Sequence, residues 1–260
     1  LQAVTAKAQK QLGLVLGNFQ KFLDVTGDRV RDFSPEQGRA YFDLMRGLIS
    51  SAVEAIVRLA GLKTQAGQPL VGAETLGALR ESVRVSLGKV VDQVNTFVGA
   101  RAADPKVAGI AAETLAAVIG AAGRLGDLGR PVVQKAGEML LSVMSQVLSA
   151  IEAGKVEQEL LAPEMQGAVQ AMVGAALQWL AVSKGSGQAG MLDLAVGLQS
   201  TVVRLATTFA ENAFKELQSG ELSSDRIMQA TQGVMTVFAS ALTAISQSTQ
   251  ILAQSGRMTP

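Results

Sequence analysis

The residues best placed to do chemistry are three aspartates in the segment FLDVTGDRVRD. Asp24, Asp28 and Asp32 carry carboxylate oxygens, the ligand type that hard cations such as Ca²⁺ prefer. Their order does not match the ligand spacing of an EF-hand loop, and Arg29 and Arg31 bring positive charge between them. The segment therefore predicts a solvated, partly ion-paired turn, and we expect no metal site.

The composition excludes most catalytic classes. The chain of 260 residues has no His and no Cys, so serine–histidine triads, thiol nucleophiles and Cys/His zinc sites are impossible. It contains no phosphate-binding P-loop, and no GxGxxG motif follows a predicted strand. An enzyme would have to use carboxylate, Lys, Ser or Tyr groups alone. We therefore expect a protein without catalysis and without a cofactor.

The charge pattern argues against nucleic acid as a partner. Lys and Arg number 23 and Asp and Glu number 22, which leaves a net charge of +1. No basic excess is available to attract a phosphate backbone. Charged residues make up only 17% of the chain and aromatic residues 4%, so Ala and the aliphatic residues must form the core.

The hydrophobic pattern is helical throughout. Apolar residues recur at spacings of three and four, Pro, Ser or Asp precedes most of the runs, and Gly follows each of them. These signals predict an all-α protein of about eight helices, near residues 1–25, 35–60, 73–98, 105–122, 131–153, 163–184, 190–218 and 224–254. Short connections predict antiparallel neighbours, and hence an up-and-down bundle or an array of helical hairpins.

The domain organisation is predicted to be simple. We expect residues 1–260 to form one helical domain, with a possible internal boundary at 61–72 and a Gly/Ser-rich hinge at 184–190. The chain opens on Leu1 inside an apolar pattern and stops abruptly at Pro260. It is therefore interpreted as a fragment of a longer chain.

The last helix has no charged side chain from Ile227 to Gly256. Three interpretations are open: a membrane segment, a mostly buried helix with a thin neutral edge, or an edge that meets another protein. Its many Gln, Ser and Thr residues argue against a membrane span, which needs about 20 predominantly apolar residues. The apolar face is predicted to hold Ile227, Val234, Phe238, Ile245 and Leu252, widened by Met228, Met235 and Leu242.

Glycines within the predicted helices need an explanation. Each costs about 0.5–1 kcal/mol relative to Ala in a helix interior. Because small residues let two backbones come close, we expect these glycines to mark tight helix–helix contacts. They include Gly13, Gly17, Gly77, Gly88, Gly120, Gly137, Gly167, Gly174, Gly197 and Gly233.

The helix-opening pattern resembles a known family. The stretches FSPEQGRAYFDLMRGLISSAVEAIV, LAPEMQGAVQAMVGAAL and LSSDRIMQATQGVMTVFASALTAIS resemble the helical extracellular region of polycystin-1-like receptors. The Ala-rich five-helix bundles of talin-like rods are similar in the same way. The first resemblance implies a structural module at the cell surface, so an extracellular or cell-surface location is favoured over the cytoplasm. No functional residue carries over from either family.

These observations favour a non-catalytic structural or protein-interaction module. Its partner would be another protein or a second copy, bound through the charge-poor faces of helices 6 and 8. Trp179, Met235 and Phe238 are the candidate contact residues. The alternative is a lipid-active carrier or pore former that opens its bundle on membranes, which amphipathic helices, nine Met residues and low charge would suit.

Overall fold

The protein is all-α, as the sequence predicts. A computed structural model describes residues 2–64, 66–154, 162–183, 189–218 and 223–254, and contains no β-strand within them. Those ranges hold eight α-helices: α1 Gln2–Thr26, α2 Pro35–Gly61, α3 Ala73–Val98, α4 Pro105–Gly123, α5 Arg130–Glu152, α6 Pro163–Val182, α7 Ala189–Gln218 and α8 Ser224–Gln254. Three short 3₁₀ turns, at Arg29–Asp32, Gly99–Arg101 and Gly126–Gly129, tighten the connections.

The local sequence explains where several helices begin. Ser34 caps α2 in a capping box, in which its hydroxyl accepts from the Gln37 amide and the Gln37 side chain accepts from the Ser34 amide. Asp104 caps α4 by accepting from the Lys106 amide at 2.9 Å. In α2 and α4, as in α6, a proline occupies the first helical turn, where its missing N–H has no consequence.

The helices form a two-layered array of hairpins. Each helix contacts the next helix but one, so that α1, α3, α5 and α7 form one layer and α2, α4, α6 and α8 form the other. Helices within the even layer run parallel, because Glu36 and Lys106, each the second residue of its helix, pair at 3.6 Å. Consecutive helices run antiparallel: Gly38 at the start of α2 packs on Phe97 at the end of α3. The predicted hairpin array is therefore confirmed.

The closest helix pair in the array is α4 with α6. The Ala-rich α4 is buried along most of its length. A Cβ added at Gly109 would lie 3.5 Å from the Ala168 Cα, and one at Gly123 would lie 2.8 Å from a Val182 methyl. These contacts join the two helices from their first turns to their last. Small side chains on α4 thus allow a long, close approach that larger residues would prevent.

The glycine prediction is correct for some positions and wrong for others. Gly120, Gly137, Gly197 and Gly233 each lie against a side chain of a neighbouring helix. An added Cβ would lie within 2.3 Å of that side chain at Gly120 and Gly137, and 3.1 Å from it at Gly197 and Gly233. The remaining six predicted positions have no such neighbour within 4 Å, so close packing does not explain them: Gly13, Gly17, Gly77, Gly88, Gly167 and Gly174. The Gly13–Gly17 motif is therefore not a helix-packing motif in this fold.

The segment between α2 and α3 is an ordered loop. The Leu70 amide donates to the Leu62 carbonyl at 2.9 Å, and the Thr64 amide donates to the Gln68 carbonyl at 2.8 Å. Val71 is buried, and the buried residues of helices on both sides of the loop belong to one core cluster. A domain boundary at 61–72 stays a prediction. Of the predicted hinge at 184–190, residues 184–188 lie outside the described residues.

Two glycine-to-alanine substitutions should have opposite effects on stability. Gly174→Ala should raise the free energy of unfolding by about 0.5–1 kcal/mol, because the exposed site has open space and Ala is the better helix former. Gly137→Ala should lower it by about 1–3 kcal/mol, because its Cβ would lie 2.2 Å from the Trp179 Nε1. Urea denaturation followed by circular dichroism measures both, and a gain in stability for Gly137→Ala would contradict the packing described.

Candidate functional site

Trp179, one of the three predicted contact residues, lies in the core. Its side chain has no exposed surface, and its indole Nε1 donates to the Val133 carbonyl at 2.8 Å. The ring covers Gly137 of α5. The prediction of a partner contact at Trp179 is therefore wrong for the folded chain, because a buried indole with a satisfied N–H anchors α6 to α5. Most apolar side chains of α6 are likewise buried, and a partner contact through its charge-poor face stays a prediction.

Met235 and Phe238 lie on the surface of α8. Met235 is 66% exposed and Phe238 39% exposed. Three further exposed apolar residues continue the same helix face at spacings of three, four and seven. We call these five residues the outer stripe: Met228, Met235, Phe238, Leu242 and Ile245.

A second apolar stripe on α8 faces the protein. Most outer-stripe residues directly follow one of its members in sequence, so the two stripes are rotated by about 100° around the helix. The buried residues are Val234, Val237, Ala241, Ala244 and Ile251. The interpretation of a mostly buried helix is therefore wrong. The predicted single face is also divided, since Val234 is buried whereas Phe238 and Ile245 are exposed.

Several hydroxyl groups on the uncharged surface of α8 form hydrogen bonds within the protein. Thr236, Ser240 and Thr243 each donate to the carbonyl one turn earlier, at 2.8–2.9 Å. Their hydrogen-bonding needs are thus met within the helix. Ser248 instead donates to the Gln199 side chain at 2.6 Å and ties α8 to α7. A partner that covers the outer stripe would leave these donors satisfied.

Exposed large apolar residues are confined to the two ends of the array. Within the part of the chain that the structure describes, α3, α4, α5 and α6 expose none. At the α7–α8 end they are Val196, Phe214, Ile227 and the outer stripe. At the α1–α2 end they are Leu14, Val15, Phe22, Val25, Leu44, Leu48 and Val57, with Leu62 just after α2. The described interior helices thus expose no large apolar side chain, whereas the helices at both ends of the array do.

The α1–α2 hairpin is joined mainly at its turn. Phe22 of α1 stacks on Tyr41 of α2 with ring centroids 6.1 Å apart, and the Tyr41 hydroxyl donates to the Gln93 side chain at 2.7 Å. Gln93 in turn donates to the Leu23 carbonyl at 2.8 Å. Beyond this network α1 packs chiefly on α3. Burial raises the pKa of Tyr41, and its hydrogen bonds with Thr26 and Gln93 offset part of that rise.

The predicted carboxylate cluster is engaged in ion pairs. Asp24 pairs with Lys89 of α3 at 2.5 Å, and Asp28 lies 3.9 Å from Arg31. Among the residues described, no group of three or more His, Cys, Asp or Glu side chains is arranged to hold a metal ion. Asp24 therefore helps to hold α1 against α3, whereas Asp28 lies near an arginine of the turn that follows.

A groove of about 560 Å³ lies where α2, α4 and α6 begin. Its polar groups include Glu36, Lys106 and Glu164, and each of the three is exposed. A backbone hydrogen bond and the Ser34 hydroxyl lower the pKa of Glu36, as is usual for a carboxylate in the first turn of a helix. Glu36 and Lys106 pair with each other at 3.6 Å on this exposed surface.

A second groove, of about 380 Å³, separates α2 from α4 and α6. Arg46 lies along it, but its guanidinium is bound to Asp43 and to Glu113, the latter at 2.9 Å. Gln178 fills the space above Gly120. The groove is thus a gap left by helix packing, and the charge of Arg46 within it is already paired with two carboxylates.

One described helix is long and apolar enough to cross a membrane. It is α4, and 67% of its most apolar window is buried inside the protein. A core helix passes the same test of length and composition, which is the role that α4 has in this fold.

No family model, curated protein or solved structure matches the chain. The resemblance to polycystin-1-like receptors or talin-like rods therefore stays a prediction.

The titration of Tyr41 tests the closed end of the first hairpin. Tyr41 is the single tyrosine of the chain, so absorbance of tyrosinate reports it alone. The midpoint should lie above about 10 in the folded protein and return to about 10 in urea. Because the folded pKa is raised, its contribution to stability is complete below about pH 10 and is lost as the pH rises further. Equal midpoints in both states would contradict the buried site.

Proposed function

We propose that this protein is a non-catalytic protein-interaction module that binds other helices through the ends of its hairpin array. One observation supports the proposal above all: exposed large apolar side chains occur at both ends and on none of the described interior helices. Stacked helical arrays usually need terminal elements with a polar outer face to stay soluble. Ends without such a face act as surfaces for a partner.

The outer stripe favours a helix as the bound element. Its residues recur at three and four positions, which is the spacing of the seam in paired helices. Met at positions 228 and 235 and Leu at 242 supply adaptable side chains for such a contact. Phe238 supplies an aromatic anchor beside them.

A protein partner suits α8 better than a lipid surface. Helices that lie on membranes usually carry Lys or Arg along their polar face. From Ile227 to Gln254 α8 has no charged residue at all, and its polar face consists of Ser, Thr and Gln. Low charge is therefore better explained by a neutral protein surface than by attraction to anionic lipids. A cell-surface location remains part of the proposal through the family resemblance alone.

Photo-cross-linking tests the proposed surface. A photoreactive amino acid at Met235 should give covalent adducts in an extract of the source cells, since this side chain lies on the outer stripe. The same group at Arg80, an exposed position on interior helix α3, is the matched control and should give none. An equal adduct pattern from both positions, or no adduct from Met235, would contradict the proposal.

Liposome flotation separates the two functional classes. We expect the folded protein to stay at the bottom of the gradient with both neutral and anionic vesicles, because the exposed apolar face of α8 has no basic residue from Ile227 to Gln254. Flotation that is lost in Met235→Glu/Leu242→Glu would instead favour the lipid-active alternative.

A further inference from the structure

We infer that the α7–α8 end of one molecule binds the α1–α2 end of a second copy, so that the array continues from chain to chain. This inference rests on the proposed function and names the partner. The α7–α8 end is the surface formed by the exposed apolar residues of α7 and α8. The α1–α2 end is the surface formed by the exposed apolar residues of α1 and α2.

The chain already contains the stacking relation that such a contact needs. Successive hairpins stack with equivalent helices side by side and parallel, since Gly197 of α7 lies against Leu141 of α5 and Gly190 lies near Gln134. A second copy placed at the end would set its α1 beside α7 and its α2 beside α8. The contact would repeat the internal geometry rather than require a new one.

Helices at both ends have the two apolar faces of an interior helix. On α1, exposed Val15 and Phe22 directly precede Leu16 and Leu23 of the core, just as four of the five outer-stripe residues of α8 directly follow a buried one. On α2, exposed Leu44 and Leu48 directly precede buried Met45 and Ile49. One face of each helix is used within the chain, and the other is positioned for a neighbour beyond it.

Charge favours contact between unlike ends. Lys7, Leu14 and Lys21 are seven residues apart and share one side of α1, and Lys10 lies close by. None of these lysines forms an ion pair within the described residues. Two α1–α2 ends facing each other would therefore oppose lysine with lysine. The α7–α8 end offers α8, which has no charged residue from Ile227 to Gln254, and on α7 the exposed side chains of Asp193, Glu211 and Lys215.

The available area matches that of a stable complex. Two neighbouring helices of about 25–30 residues present a face of about 40 Å by 20 Å, or roughly 800 Å². A standard specific interface buries about 800 Å² on each partner. The contact joins unlike ends of successive molecules, so every oligomer keeps one free end of each kind. The assembly should therefore be an open chain rather than a closed ring.

Complementation between two end variants tests the inference. In sedimentation velocity the unaltered protein should form species beyond the dimer as its concentration rises. Met235→Glu/Leu242→Glu damages one end and Leu44→Glu/Leu48→Glu the other, and each variant alone should associate about 100-fold more weakly. Mixed together, they should form a one-to-one dimer and stop there, because each retains one intact end. Arg80→Glu is the control and should associate as the unaltered protein does.

The possible results separate this inference from the proposed function. All four positions are at least 45% exposed, so circular dichroism should show folded variants. Continued dimerisation of Leu44→Glu/Leu48→Glu would overturn the head-to-tail contact in favour of symmetric pairing through α8. An unaltered protein that is monomeric at its highest soluble concentration would overturn self-association. In that case an adduct of Met235 with a different protein would leave the proposed function standing.

Discussion

The packing of α4 against α6 is the contact on which the rest of the array depends. Gly109, Gly120 and Gly123 allow the two parallel helices to stay close from their first turns to their last. The even layer is built outward from this pair, with α2 on one side and α8 on the other. The odd layer then closes over it, and Trp179 of α6 ties the layers together through the Val133 carbonyl. Small side chains along this contact thus allow the dense packing that is typical of a protein interior.

An array of this kind satisfies its interior and leaves its ends incomplete. Interior helices contact a helix of the same layer on both sides. Within the described part of the chain, α1, α2, α7 and α8 have such a neighbour on one side only. Fully burying a large apolar side chain contributes about 1.5–3 kcal/mol, so an uncovered row of them is a substantial driving force for association. The absence of charge from Ile227 to Gln254 of α8 removes the desolvation cost that a row of Lys and Glu would add. The proposed function thus rests on the apolar side chains that the packing leaves uncovered.

The sequence predicts the helices well and their surroundings less well. Pro35, Pro105 and Pro163, with the glycines that end helices, are local signals, so the helix positions and the hairpin order could be read directly. Which face of a helix is covered depends on neighbours distant in sequence. For this reason the sequence pattern does not divide the apolar residues of α8 into buried and exposed stripes, and it does not show that Trp179 is fully buried. The same limit separates Gly137, which packs on Trp179, from Gly174, which packs on nothing.

Hydrogen exchange by mass spectrometry tests the central claim most directly. If the α4–α6 contact organises the array, amides of α4 and α6 should exchange slowest, through global unfolding alone, while those of α1 and α8 in dilute protein should exchange earlier through local opening. Raising the protein concentration should then slow exchange in α1, α2, α7 and α8 and leave α4 unchanged. Protection of α8 equal to that of α4 in dilute protein, or slower opening of the ends than of the centre, would contradict this account.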